Sequence, residues 1–98
     1  MTEGAYRYVV RATTAFRKSA KRAAKRGKDI RKLKKAVDIL ARGEPLPAAL
    51  RDHALSGIYR GHRELHPEPD WLLVYRLEEN ILVLELVDTG SHSDLFGK

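Results

Sequence analysis

Ninety-eight residues, no cysteine and a formal net charge of +6 describe a chain the size of one domain, without disulfides or thiolate nucleophiles. No apolar run reaches membrane-spanning length, and the N-terminal MTEGAYRYVV lacks the hydrophobic region of a signal peptide, so a soluble cytoplasmic protein with no membrane partner is expected. The basic excess instead favours a polyanionic partner.

In chain order, Tyr6–Val10 (YRYVV) is β-branched and aromatic and predicts a first strand. The period then changes. Phe16, Ala20, Ala23 and Ala24 share one helical stripe, with Thr13 or Thr14 as N-cap and Gly27 as the stop. Asp29 caps a second helix with the stripe Ile30, Leu33, Val37 and Leu40, ended by Gly43. Two amphipathic helices so closely joined form an antiparallel hairpin.

Between Arg17 and Lys35 the only acid is Asp29. This near single-signed run gains nothing from i,i+4 ion pairs and loses a little to repulsion. An anionic surface such as RNA phosphate accounts for it better than a merely solvated face. The cations are Lys18, Lys21, Arg22, Lys25 and Arg26 on the first helix. Lys28, Arg31, Lys32 and Lys35 continue the patch.

Pro45 and Pro47 make GEPLPAALRDHALSG a connection, with one short turn over PAALRDH. GIYRGHREL (57–65) predicts a strand weakened at Gly61, followed by strands in DWLLVYRL and NILVLELV joined through EEN. RELHPEPDW has too many prolines for regular structure and predicts a fixed turn; DTGSHSDLFGK predicts a loop with room for a short helical turn. The order β-α-α-β-β-β gives a two-layer α+β domain spanning residues 1–98, a helical hairpin on a mainly antiparallel sheet.

His53, His66 and His92 lie in connections rather than apolar stripes, close in sequence to Asp52, Asp70 and Arg63. Histidine both accepts and donates protons near neutral pH. Cleaving RNA through its own 2′-hydroxyl needs those two transfers, and cations to stabilise the charge gathering on phosphate. A metal site is disfavoured, because HPEPD is not a zinc spacing, HExxH is absent and there is no cysteine. Trp71 opens an apolar strand, where core packing competes with base stacking; Phe96, in a polar tail, is the better candidate for a stacking or clamp role. His62 is given no role.

These residues resemble a known family. The pattern DH-x-L-x-G, then G-x-R, then H-x-E-P-D-W-L-L-x-Y, then T-G-[ST]-H, then L-F is similar to that of YafQ-type toxins of the RelE superfamily, mRNA endonucleases of bacterial type II toxin–antitoxin systems. The basic hairpin and GEPLP extend the likeness over nearly the whole chain. The resemblance implies a RelE-like fold, metal-independent mRNA cleavage in the ribosomal A site with no cofactor, and a cognate antitoxin partner. It also implies that His53, His66, Asp70 and His92 are catalytic. Arg63 or Arg60 is expected on the phosphate, Phe96 on a base, and Glu64 and Trp71 beside the substrate. One departure is Asp88, where the family commonly has a basic residue. The competing reading is a non-enzymatic binder on the same scaffold, a basic nucleic-acid module or a ParE-like poison of a protein target.

Overall fold

The computed structural model describes residues 5–97; residues 1–4 and 98, and with them the start of the segment read above for a signal peptide, lie outside the described residues. The elements are β1 (Val9–Ala12), α1 (Thr14–Lys25), α2 (Ile30–Arg42), β2 (His53–Ala54), β3 (Arg63–Glu68), β4 (Trp71–Glu78), β5 (Val83–Gly90) and α3 (His92–Phe96). The sheet order is β1-β5-β4-β3-β2. β1 runs parallel to β5, and the other neighbours are antiparallel. The parallel pair needs a crossover, and the chain between them supplies it through α1, α2 and the antiparallel strands β2, β3 and β4. No described helix is long and apolar enough to cross a membrane.

The helix signals act as their chemistry dictates. The Thr13 hydroxyl accepts from the Phe16 amide and donates to the Val87 carbonyl, so one side chain caps α1 and ties it to β5. Val87 is the extra residue of a bulge, where Val74 faces Asp88 but Tyr75 faces Leu86. Asp29 caps α2 through the Arg31 amide, and Gly43 ends it at φ 72°, a left-handed turn that suits glycine. In α1, Ser19 is buried beside Phe16 and Ala23 while Ala24 faces solvent, a correction to the expected stripe. The core joins Phe16, Leu33, Ala36 and Leu40 of the helices to Leu65, Trp71, Leu73, Tyr75, Leu84 and Leu86 of the sheet.

Four strand expectations need correction. The first strand begins at Val9 rather than Tyr6, because the amides of Arg7 and Tyr8 both bond the Ala41 carbonyl at the end of α2, each at 2.9 Å. Gly57–Tyr59 is a 3-10 turn, not a strand. The strand starts at Arg63 and runs through His66 and Pro67, the segment expected to be irregular. Its register slips between Leu65 and Glu68, and that irregularity accommodates a proline that cannot join a regular ladder. Finally, β5 continues through Asp88 to Gly90, into the expected tail.

Asp52 braces the edge next to β2. It accepts from the Tyr75 hydroxyl, and from Arg63 through Nε (3.0 Å) and Nη2 (2.7 Å). Burial, then the Asp52 carboxylate, push the Tyr75 phenol well above its ordinary pKa. Truncating Asp52 strands a buried phenol and a guanidinium, so Asp52→Ala is expected to cost about 2 kcal/mol. Urea unfolding reads this directly, and a loss below about 0.5 kcal/mol would mean that the edge holds without the network.

Candidate active site

Cross-strand register assembles the site on the sheet face opposite the helices. His53 stands beside Glu64, Glu64 beside Val74, and Val74 beside Asp88, so one row crosses four strands. Leu65, the next residue along β3, packs in the core, so Glu64 and His66 face the other way. The two-residue strand β2, which sequence reading missed, brings His53 to this row. Arg51 just before it adopts φ 50°, unusual for a residue with a side chain, and its carbonyl lies 3.1 Å from His53 Nδ1.

Glu64 is the centre. It is 4% exposed. Its Oε2 lies 3.1 Å from His53 Nε2 and 3.4 Å from His66 Nε2. Its Oε1 and the Nδ1 of His66 are buried without a hydrogen-bond partner. The His53 and His66 rings stack with centroids 5.7 Å apart. The ligand atoms of His53, Glu64 and His66 lie within 4.8 Å of one another, close enough to hold a metal ion.

A second unit adjoins the first. Asp70 Oδ1 accepts from the His92 amide at 3.1 Å and faces His92 Nδ1 at 2.8 Å. The His92 side chain, then its amide, hold the Asp70 carboxyl below the usual carboxylate range. The His92 ring is 6.1 Å from His66 and 6.3 Å from Phe96. Ser91 caps α3 in a reciprocal capping box with Asp94. Gly90 is required here by space, since a Cβ would come within 2.9 Å of the Asp94 Cβ.

The structure therefore brings together His53, Glu64, His66, Asp70, His92 and Phe96. It does not bring Arg63 or Trp71. Arg63 shares its register position with Tyr75 and Ala54, on the face away from Glu64, and its guanidinium is held by Asp52; the expected phosphate contact is corrected. Trp71 is 1% exposed, with its Nε1 donating to Thr89 Oγ1 at 3.0 Å, so the expected place beside the substrate is corrected to the core. Arg60 is exposed in the turn before β3. Tyr59, unremarked in the sequence, packs edge-on against Phe96 at 5.7 Å. An aromatic residue between Gly57 and Gly61 was the available signal.

The basic patch is less free than it reads. Arg26 pairs with Asp94, Lys28 and Lys32 with Glu68, and Arg31 with Asp29. Lys28, then Lys32, hold the Glu68 carboxyl low. Lys18, Lys21, Arg22, Lys25 and Lys35 are exposed.

Residues 8–97 match the family model for YafQ, described as a bacterial toxin of type II toxin–antitoxin system. The mRNA interferase toxin YafQ of Escherichia coli (strain K12) is 45% identical over 83 residues, 84% of this chain and 88% of that protein. The crystal structure of the E. coli DinJ–YafQ complex superposes with a TM-score of 0.84 at 40% identity, covering 92% of this chain and 99% of that one. The crystal structure of a metal-bound toxin from Helicobacter pylori gives 0.86 at 39% identity, covering 91% and 99%.

Glu68, Asp70 and Asp94 all have folded pKa values below their ordinary ones. A depressed carboxylate stabilises the fold above its unfolded pKa, and that contribution is lost as pH falls through the lower folded value. Thermal stability should stay level from neutral pH to about 5 and fall through about 4 and below. Glu68→Gln should flatten this acid limb, and an unchanged limb would remove the Lys28–Glu68–Lys32 pairing from its cause.

Proposed function

This chain belongs to the YafQ family of bacterial type II toxins, and from that premise we propose that it cleaves mRNA on the ribosome by attack of the 2′-hydroxyl on the adjacent phosphate. The observation that carries the reading is the convergence of three histidines and two carboxylates on one open sheet face. A ParE-like poison of a protein target has no need for that convergence. The cytoplasm, where ribosomes are, is the proposed place of action, and a cognate antitoxin is the partner of a type II toxin.

Two proton-carrying units face each other. We assign the base to the Asp70–His92 pair. An anionic Asp70 takes Nδ1–H, which turns the His92 Nε2 lone pair outward and stabilises the imidazolium formed when it accepts the 2′-OH proton. We assign the acid to His66. Protonated, it and His53 place positive charge beside the phosphate, and His66 gives its proton to the departing 5′-oxygen. Phe96, braced by Tyr59, offers a face for a base. Lys18, Lys21, Arg22 and Lys25 on the outer face of α1, with Lys35 on α2, would grip ribosomal RNA, and binding should weaken steeply as salt rises.

His66→Gln and His92→Gln should each lower cleavage of a defined mRNA on programmed ribosomes by about 10²-fold or more. A 5′-thio leaving group needs no proton, so it should rescue His66→Gln and leave His92→Gln impaired. The reverse pattern would exchange the two roles, and full activity in both variants would refute the mechanism.

Asp88 continues the row that carries Glu64, and its Oδ1 is occupied by the Thr89 amide. A carboxylate there opposes the approaching phosphate. Asp88→Arg should therefore raise kcat by about tenfold or more, as expected when a cation is added beside developing charge. An unchanged or lower kcat in the same assay would show that Asp88 stands clear of the phosphate.

A further inference from the structure

The turn between β2 and β3 is tightly bonded, and it displays side chains that nothing described so far employs. Gly57 and Gly61 bound it, both at positive φ. The Arg60 amide bonds the Gly57 carbonyl at 3.1 Å, and the His62 amide bonds the Tyr59 carbonyl at 2.9 Å. The Leu55 amide closes the loop onto the His62 carbonyl, also at 2.9 Å. The turn is thereby fixed to the two strands that carry His53 and His66. It holds Tyr59 partly exposed and Arg60 exposed, and the Arg60 guanidinium makes no hydrogen bond or ion pair with any described residue.

Ring contacts connect this turn to the catalytic groups. Tyr59 stands edge-on to Phe96 with centroids 5.7 Å apart, Phe96 is 6.3 Å from His92, and His92 is 6.1 Å from His66. His62 packs near-perpendicular to Tyr59 at 5.7 Å, so two neighbours fix the plane of the Tyr59 ring. Among the described residues neither Tyr59 nor Phe96 makes a ring contact with His66. The rings therefore run outward in the order His66, His92, Phe96, Tyr59. A 5.7 Å step exceeds the ~3.4 Å rise of bases stacked in one strand, and suits bases splayed apart on separate aromatic side chains.

That order has a polarity. His92 takes the 2′-OH proton and His66 protonates the departing 5′-oxygen, so the attacking nucleotide lies on the His92 side of the scissile bond. Phe96 is then beside the base of that nucleotide, and a strand that continues past Phe96 to Tyr59 continues in the 5′ direction. Every base offers a face to an aromatic ring, and a cation next to that ring meets the backbone.

We propose that Tyr59 and Arg60 form a second nucleotide subsite, in which Tyr59 stacks the base, and Arg60 pairs with the phosphate, of the nucleotide immediately 5′ to the one that supplies the attacking 2′-hydroxyl. The subsite rests on the reading of this chain as a nuclease of mRNA, and its 5′ placement rests on the roles assigned to His92 and His66. The toxin thus grips two successive bases rather than the one at the cut. Bracing Phe96 accounts for Tyr59 alone and leaves the cation beside it without a purpose.

The test is a binding cycle on ribosomes programmed with an mRNA made uncleavable by 2′-deoxy sugars through the codon in the A site. The cut is first mapped with all-ribose mRNA and wild-type toxin. An abasic residue immediately 5′ to the attacking nucleotide should weaken wild-type binding by about tenfold or more. Tyr59→Leu should bind intact and abasic mRNA alike, and Tyr59→Phe, which keeps the ring, should discriminate as wild type does. An abasic residue at the attacking nucleotide should still weaken Tyr59→Leu, which separates stacking from displacement of Phe96. Arg60→Gln should weaken binding of both mRNAs by the same factor, since both keep the phosphate.

Wild type that binds intact and abasic mRNA equally, or discrimination that survives in Tyr59→Leu, would overturn the subsite. So would coupling of Tyr59 to the attacking base alone, which would leave it a brace. Coupling to the base on the 3′ side would overturn the placement, and unchanged affinity in Arg60→Gln would remove Arg60. Wild type that leaves the all-ribose mRNA uncut marks failure of the nuclease reading. The abasic residue is then moved through the codon position by position, and two adjacent positions, one coupled to Phe96 and the next to Tyr59, still decide the subsite.

Discussion

A carboxylate buried in the middle of a sheet face is the constraint around which this molecule is arranged. Glu64 has little water to solvate it, and a charge so placed must be met by donors or cations. Two imidazoles meet it, and each reaches it by an irregular device. His53 comes on a two-residue strand after a left-handed turn at Arg51, and His66 comes at a slip in register that also houses Pro67. These departures from regular geometry sit where the chemistry does, while the face toward the helices is an ordinary apolar core.

Much of this was legible beforehand. The helices declared themselves by period and by caps, because Thr13, Asp29 and Gly43 act on their immediate neighbours. The strand expected in DWLLVYRL is present as β4, with Trp71, Leu73 and Tyr75 in the core. The site histidines and Asp70 followed from motif resemblance, and the structure draws them together. What failed was non-local. Pro67 argued against a strand on local grounds, yet pairing with β4 on both sides of it overrode the local preference. The pairing of Arg63 with Asp52, eleven residues back, cannot be read from spacing, and it occupies a cation expected on the phosphate. Trp71 showed the same ambiguity in the other direction, with its apolar bulk outweighing its capacity to stack.

The basic helices are also tied to the site rather than appended to it. Glu68, two residues past His66, accepts from both Lys28 and Lys32, and Asp94, two residues past His92, accepts from Arg26. Acids drawn from distant parts of the chain thus relieve a run that looked self-repelling in isolation. They also fix the α1–α2 junction against the two segments that carry His66 and His92. A polyanion lying along the remaining cations of α1 would be held in register with the histidines, since few soft connections separate the two surfaces.

β5 has one further consequence. It is the inner strand between β1 and β4, it packs beneath α1, and it leads directly into α3. The first strand therefore has no partner until residues 83–90 exist, and His92 and Phe96 follow later still. Sheets closed by such distant pairings form late, because the loop entropy is lost before the contacts compensate for it. Before β5 is made the chain can form its helices and pair β2, β3 and β4, but β1 lacks its partner and the site lacks His92. The site proposed above to act on translating ribosomes is thus incomplete until residues 83–96 have been added.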